Sequence, residues 1–201
     1  MKLAIVAGSQ RPGSQSKRVA DYIAARLAAD ETVETYVLDL GGAPLPPWDP
    51  SIWSGEPSPL KEAWGPISAE LAEADGFVII SPEWHGMVPP MLKNFLLLCM
   101  GETQHKPGLI VAVSASAGGA YPVTELRISG YKNNRLCWIP DHVILRGVKE
   151  LLGDGDPASD QDGEARDRLD HSLALLKEYA KALGAVRASG VFDPKRFPFG
   201  M

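Results

Sequence analysis

The sequence predicts an α/β fold in which helices cover both faces of a parallel sheet. Apolar runs of strand length recur along the chain, and stretches with the period of an amphipathic helix separate them. The length of 201 residues suits one domain, and five strands in that length suit the sheet order 2-1-3-4-5.

Five apolar runs are the predicted strands. The first, from Lys2 to Ala7, stays apolar after its lysine and ends at Gly8, as expected for a parallel strand that is buried on both faces. The other four are Val33 to Leu40, Phe77 to Ser81, Gly108 to Ser114 and His142 to Arg146.

Helical periodicity appears between these runs. Val19, Ile23 and Leu27 follow one another at intervals of four residues and form one apolar stripe. The helices that such spacing predicts run from Lys17 to Ala29, from about Pro90 to Met100 and from Glu164 to Leu183.

Two stretches lie outside this alternation. Gly41 to Pro66 contains seven prolines and three tryptophans, so we expect a long, fixed loop that leads into a helix ending near Ala74. Within it, Pro47-Trp48-Asp49-Pro50 matches a P-x-x-P peptide pattern, but stiffening of a surface loop is the favoured explanation. The other stretch, residues 185–201, is predicted to be a C-terminal tail after a single domain of residues 1–184.

The charge balance argues against nucleic acid as a partner. The chain has a net charge of −5 and a pI of about 5.4. A nucleic-acid surface needs a basic face instead. A phosphate ligand would therefore require a local group of donors.

No membrane partner is expected either, because no stretch approaches the roughly 20 apolar residues that cross a bilayer. The apolar start from Met1 to Ala7 is too short for the core of a signal peptide. Cys99 and Cys137 form no C-x-x-C pair and lie in apolar surroundings, so we expect both to be reduced. These features predict a cytoplasmic protein.

The loop after the first predicted strand combines the features of a phosphate site. It has the sequence Gly8-Ser9-Gln10-Arg11-Pro12-Gly13-Ser14-Gln15-Ser16 and leads into the first helix. Ligands bind at the carboxyl edge of an open parallel sheet, where a helix N-terminus offers free N–H groups. The hydroxyls of Ser9, Ser14 and Ser16 and the guanidinium of Arg11 would add donors. A plain turn with a helix cap is the alternative.

Two nucleotide-binding motifs are excluded at this loop. A P-loop has a lysine and a hydroxyl residue after its second glycine, where this chain has Ser14 and Gln15. Gly8 and Gly13 are five positions apart, so the G-x-G-x-x-G dinucleotide motif is also absent.

Two further loops follow predicted strands at the same edge. After the third strand, Pro82-Glu83-Trp84-His85-Gly86 supplies an aromatic ring and polar groups suited to a flat ligand. After the fourth, the small residues Ser116-Ala117-Gly118-Gly119 let the backbone approach a ligand closely. A structural histidine and an ordinary turn are the alternatives, but three such loops on one edge favour a binding site. The histidines lack metal-ligand spacing, so no metal site is predicted.

Together these loops resemble those of the NADPH-dependent FMN reductase family, a flavodoxin-like group that includes quinone, azo-dye and chromate reductases. The most specific matches are Gly-Ser-x-Arg-x-x-Ser-x-Ser at Gly8 to Ser16 and Pro-Glu-Trp-His-Gly at Pro82 to Gly86, followed by Leu92-Lys93-Asn94. The resemblance implies a flavodoxin-like three-layer α/β/α sandwich. In the family, tyrosine is usual where this chain has Trp84, and asparagine is common where it has His85.

The resemblance also implies how FMN would be held. The first loop would bind the phosphate through Ser9, Arg11, Ser14 and Ser16. No side chain is assigned as catalytic, although His85 would be placed to donate a hydrogen bond or a proton near the ring. The residues implied to border the isoalloxazine ring are Pro82, Glu83, Trp84, His85 and Gly86 in the second loop and Ser116, Ala117, Gly118 and Gly119 in the third.

The function that the resemblance implies is an NAD(P)H-dependent FMN reductase. In the expected ping-pong cycle, NADPH or NADH gives hydride to FMN, and a flavin, quinone or related acceptor then takes the electrons. The family usually completes its site between subunits, so a homodimer or homotetramer is implied. Two alternatives stay open: a quinone, azo or nitro reductase with tightly bound FMN, and a flavodoxin-type electron carrier without NAD(P)H activity.

Overall fold

The apolar runs of the sequence form one parallel sheet, with its strands in the order β2-β1-β3-β4-β5. The computed structural model describes residues 1–199. The strands are β1 (Lys2–Ala7), β2 (Glu34–Asp39), β3 (Gly76–Pro82), β4 (Pro107–Val113) and β5 (Cys137–Leu145). The predicted number, direction and order of the strands are confirmed.

Helices cover both faces of this sheet, which confirms the predicted three-layer sandwich. The helices are α1 (Gln15–Leu27), α2 (Pro59–Glu73), α3 (Pro90–Leu98), α4 (Ala120–Ile128) and α5 (Asp160–Ala188). α1 and α5 pack on one face, and α2, α3 and α4 pack on the other. None of the helices within residues 1–199 combines the length and the apolar character of a membrane span.

The central strands are apolar throughout because each of their faces meets a helical layer. In β1, Leu3 and Ile5 belong to the cluster under α1 and α5, whereas Ala4 and Val6 belong to the cluster under α2, α3 and α4. All four side chains are fully buried. Burial of a leucine or isoleucine side chain stabilises the fold by about 1.5–3 kcal/mol, so the continuous run itself drives the insertion of β1 between the layers.

The segment from Gly41 to Pro66 is not a loop throughout, which corrects the prediction. α2 begins at Pro59, and the Ser58 hydroxyl caps it by accepting a hydrogen bond from the Lys61 N–H at 3.3 Å. Proline in the first helical turn needs no N–H partner, so Pro59 favours this start. Pro66 lies inside the helix, where it removes one hydrogen bond without ending the helix. Counting prolines therefore overestimated the length of the loop.

β5 and α5 are longer than predicted. β5 begins at Cys137 rather than at His142, and its register against β4 shifts beside Gly108. The exposed Pro140 interrupts the apolar pattern, but β5 is an edge strand, where a missing N–H donor is tolerated. α5 extends past both predicted ends and takes in the first four residues of the predicted tail. Residues 200 and 201 lie outside the described residues.

Candidate functional site

The first and second predicted loops meet at the carboxyl edge of the sheet around a pocket of about 200 Å³. Pockets that enclose a drug-sized ligand measure roughly 300–1,000 Å³, so a ligand as large as FMN would extend onto the open surface. The predicted residues that line the pocket are Ser9, Arg11, Ser14, Ser16, Pro82, Glu83 and Trp84. Those that lie outside its wall are His85, Gly86, Ser116, Ala117, Gly118 and Gly119.

Two of the serines in the first loop shape the loop itself. The Ser14 hydroxyl caps α1 by accepting a hydrogen bond from the Lys17 N–H at 3.2 Å. The Ser9 hydroxyl accepts one from the Arg11 N–H at 3.3 Å. Each hydroxyl still has its own proton to donate, so neither contact prevents binding of an anion. The alternative of a plain turn with a helix cap therefore describes part of this loop correctly.

Ser16 has no such structural contact. Its side chain is 1% exposed, and its hydroxyl has no hydrogen-bond partner in the described part of the chain. Burying a hydroxyl without a partner costs about 1–3 kcal/mol, so a ligand that accepts its proton would relieve that penalty. The first turn of α1 contains no acidic residue that would repel an anion. Ser16 therefore fits a phosphate at the positive end of this helix.

Arg11 connects the first loop with the second. Arg11 is an exposed residue, and its guanidinium carbon lies 5.9 Å from the centroid of the Trp84 ring, within the range of a cation–π contact. The backbone of the same loop packs tightly against the chain after β2, because a Cβ at Gly41 would lie 2.5 Å from the Arg11 carbonyl oxygen. The loop is thus fixed at its backbone while the Arg11 side chain faces solvent.

The second loop is a tight hairpin. The backbone N–H and C=O groups of Trp84 and Met87 bond to each other in both directions, at 3.1 and 2.9 Å. Between them, His85 has a φ of 51° and Gly86 a φ of 73°, the pattern of a type I′ turn. The hairpin therefore holds the half-buried Trp84 ring at the pocket and leaves His85 exposed at its tip.

Glu83 uses its carboxylate to hold the third loop. One carboxylate oxygen accepts a hydrogen bond from the Gly119 N–H at 2.6 Å, at the start of α4, where negative charge is favoured. A Cβ at Gly118 would lie 2.9 Å from the other Glu83 oxygen, so a side chain there would displace this carboxylate. Gly119 has a φ of 110°, and its Cβ would lie 2.4 Å from Ile144 Cγ2. Packing within the fold therefore favours glycine at both positions.

The pocket wall also contains residues that were not predicted, namely Gln15, Val113, Ala115 and Val148. Ala115 directly precedes the predicted loop of Ser116 to Gly119, and this position in the chain could have indicated it. Val148 follows β5 and reaches the site because its N–H donates to the Ser114 carbonyl at 3.1 Å. The Arg18 guanidinium donates to the Val148 carbonyl at 2.6 Å and joins this segment to α1. Nothing in the sequence pattern indicates either contact.

Known proteins are similar to this chain in sequence and in fold. Residues 1–149 match the family model of NADPH-dependent FMN reductases. An NADPH azoreductase of a Bacillus species is 30% identical over 190 residues, which is 92% of this chain and 99% of the relative. A 2-hydroxy-1,4-benzoquinone reductase of a Burkholderia species is 32% identical over 167 residues, which is 80% of this chain and 87% of the relative.

Two solved structures show the same fold at lower identity. FerB, a flavoenzyme NAD(P)H:(acceptor) oxidoreductase of Paracoccus denitrificans, matches with a TM-score of 0.67 and 18% identity, over 92% of this chain and 97% of its own. A flavodoxin from the domain Archaea matches with a TM-score of 0.53 and 14% identity, over 92% and 99%. The fold is therefore flavodoxin-like, and the sequence match shows that the chain belongs to the NADPH-dependent FMN reductase family of oxidoreductases.

Proposed function

We propose that this chain is an NAD(P)H-dependent reductase that binds FMN at the carboxyl edge of its sheet. The observation that carries the proposal is the Ser16 hydroxyl, which is buried in the first turn of α1 and has no hydrogen-bond partner within residues 1–199. It lies in one pocket wall with the guanidinium-bearing Arg11 and the aromatic Trp84. Hydroxyl, cation and ring are the groups that a phosphate joined to a flat ring system requires.

Each loop has a proposed part in holding FMN, which supplies the hydride chemistry when bound. Ser9, Arg11, Ser14 and Ser16 would hold the phosphate at the N-terminus of α1. The second and third loops, residues 82–86 and 116–119, would border the ring. We propose the exposed His85, at the tip of the hairpin, as the side chain that donates a hydrogen bond or a proton beside it.

The electron acceptor that we propose is a flavin, a quinone or a related compound. The relatives named as a quinone reductase and an azoreductase support this class. The small pocket supports this class of acceptor as well. A flavin ring that does not fit within the cavity of about 200 Å³ stays accessible from solvent. Donor and acceptor would then use the same open face in turn, as a ping-pong cycle requires.

We also propose that the protein is a homodimer or homotetramer. Large apolar side chains are exposed on or beside α3 and α4, and we call this surface the α3/α4 face. Monomers rarely expose extensive apolar patches. Light scattering should give two or four times the chain mass, and Ile128→Lys should reduce it; a monomeric wild type would contradict the proposal. The face consists of Met87, Leu97, Met100, Tyr121, Ile128 and Tyr131.

We also propose domain bounds and a cellular location for the protein. We propose residues 1–184 as the FMN-binding domain and residues 185–201 as a tail. The tail folds back, since the Phe192 ring lies 4.7 Å from the His105 ring. A cytoplasmic location is supported by Cys99 and Cys137, which form no disulfide within the described residues.

The test is an anaerobic titration of the FMN-loaded protein with NADPH and then NADH, followed by the flavin absorbance at about 450 nm. Rapid two-electron bleaching by either nucleotide is the expected result and identifies the donor. FMN that binds without being bleached would instead favour the flavodoxin-type electron carrier. Failure to bind FMN would contradict the proposed function.

A further inference from the structure

Two charged side chains hold the loop between β4 and α4 from different elements. Glu83, which follows β3, accepts a hydrogen bond from the Gly119 N–H at 2.6 Å. Arg146, which follows β5, donates from Nε to the Ala117 carbonyl at 2.8 Å and to the Gly118 carbonyl at 3.1 Å. The two side chains come from opposite flanks of β4 in the sheet, so neither contact duplicates the other.

Both contacts meet in the peptide group that joins Gly118 and Gly119. Its C=O accepts from Arg146 and its N–H donates to Glu83. No peptide bond among the described residues is cis. The C=O and N–H of a trans peptide point in opposite directions. Glu83 and Arg146 therefore lie on opposite sides of the loop and fix the plane of this one peptide.

The preceding peptide group leaves one donor available. Its carbonyl, on Ala117, also faces Arg146, so its N–H, on Gly118, points to the side of the loop where Glu83 lies. This N–H has no hydrogen-bond partner within the described residues. Glu83 itself lines the pocket, and glycine at position 118 has no side chain that would cover the N–H.

We propose that Glu83 and Arg146 are positioning residues that jointly present the Gly118 N–H to the polar edge of the bound flavin ring. This proposal rests on the proposed function. A glycine pair is conformationally permissive, and ordering it only when the ligand binds would weaken affinity. Two side chains that fix the same peptide beforehand remove that penalty. Glu83 thus acts through the loop, and Arg146 acquires a role at a distance from the pocket.

A double-mutant cycle on the dissociation constant of FMN, measured from flavin fluorescence, tests the proposal. Glu83→Ala and Arg146→Ala should each weaken FMN binding about tenfold. The double variant should also bind FMN only about tenfold more weakly than the wild type, because both changes remove the same constraint on the loop. Glu83→Gln should restore most of the affinity, since its amide oxygen still accepts from the Gly119 N–H.

Arg127→Ala is the matched control. Its guanidinium also donates to backbone carbonyls, those of Ile139, Pro140 and Asp141 in β5. This variant should bind FMN like the wild type. Amide exchange of Gly119 in the ligand-free protein should accelerate in Glu83→Ala and Arg146→Ala but not in Arg127→Ala.

Three outcomes would overturn the proposal. One is wild-type FMN affinity in Arg146→Ala, and another is a double variant whose loss equals the product of the two single losses. Both leave the proposed function intact, because the wild type binds FMN in each case. The third is a wild type that does not bind FMN, which would overturn the proposed function together with this inference.

Discussion

The two edges of the sheet differ in the hydrogen bonds made by two buried polar side chains, Lys106 and Ser16. At the amino edge, the buried Lys106 ammonium donates to the carbonyls of Leu71 and Ala72, at 3.1 and 2.7 Å, where α2 ends. At the carboxyl edge, the Ser16 hydroxyl is equally buried and has no partner in the described chain. The Lys106 contacts thus maintain the fold, whereas the Ser16 hydroxyl, at a helix N-terminus, has a proton available for an anion.

Part of the amino edge is covered by Phe192, which follows α5. Two polar atoms there, His105 Nε2 and Arg135 Nη1, lack hydrogen bonds among the described residues. The Phe192 ring covers both side chains, 4.7 Å from the His105 ring and 4.4 Å from the Arg135 guanidinium carbon. Burial, together with Arg135 and Arg187, lowers the pKa of His105. Protein thus covers these unpaired atoms at the amino edge, whereas Ser16 lines an open pocket at the carboxyl edge.

The largest difference between the edges is expected in the stability that is lost when a glycine is changed to alanine. Gly119→Ala should lower the free energy of unfolding by about 3 kcal/mol or more, because it adds a clash with Ile144 to an unfavourable φ. At the amino edge, Gly76→Ala should cost about 1 kcal/mol, since its Cβ would mainly displace the Leu3 and Pro107 side chains. Urea unfolding measures both; a larger loss at Gly76 would reverse the comparison.

Arginine removal should separate binding from stability. Arg11→Ala should raise the dissociation constant of FMN about a hundredfold, or about 2.7 kcal/mol, through lost charge-assisted bonds to the phosphate. Riboflavin, which has no phosphate, should bind both proteins alike. At the amino edge, Arg187→Ala, which loses the ion pair with Asp75 at 3.4 Å, should leave FMN affinity unchanged. Equal FMN affinity in Arg11→Ala and the wild type would disprove the phosphate assignment.

Lys106 should matter for stability and not for FMN. Lys106→Met leaves the two carbonyls at the end of α2 without their donor and should cost about 2 kcal/mol at pH 7 in urea unfolding. Lys181→Met, at an exposed site on α5, is the control and should change the free energy of unfolding by less than about 0.5 kcal/mol. A Lys106 variant as stable as this control would show that the contact is dispensable.

The buried Lys106 should also make the stability of the protein depend on pH. Burial, reinforced by Arg187 and opposed by Asp75 and Glu102, lowers the pKa of Lys106 from 10.5 to about 8. Between these values the unfolded chain keeps a proton that the folded protein has lost, so wild-type stability gains with rising pH. The stability difference between wild type and Lys106→Met should therefore widen from pH 8 to pH 10. A constant difference would contradict the lowered pKa.

The smallest expected effects come from two buried serines. Ser16→Ala removes a buried hydroxyl that has no hydrogen-bond partner in the described part of the chain. The change should therefore stabilise the ligand-free protein by about 1 kcal/mol while weakening FMN binding about tenfold. The fully buried Ser172, whose hydroxyl donates to Asp141 at 3.0 Å, should instead cost about 1 kcal/mol when changed to alanine, with no effect on FMN. Thermal unfolding without FMN and a fluorescence titration give both quantities. Loss of stability in Ser16→Ala would show that its hydroxyl is satisfied.

Sequence patterns were most informative where one local rule acts alone. The apolar run of β1 and the stripe of Val19, Ile23 and Leu27 on α1 identify their elements because burial repeats at a fixed interval. The patterns failed where the fold tolerates a residue that is unfavourable for its element. Pro66 is tolerated inside α2, and Pro140 is tolerated in β5 because that strand lies at an edge.

The amino-acid sequence alone is enough to predict a parallel sheet with three candidate loops at one edge. Periodic burial and the polarity of parallel strands require that arrangement. Only the folded chain assigns each polar group its partner: Glu83 binds Gly119, Arg146 binds Ala117, and Ser16 binds none in the described residues. The two hydrogen bonds join residues 36 and 29 positions apart, and single contacts of this kind leave no periodic pattern in the sequence.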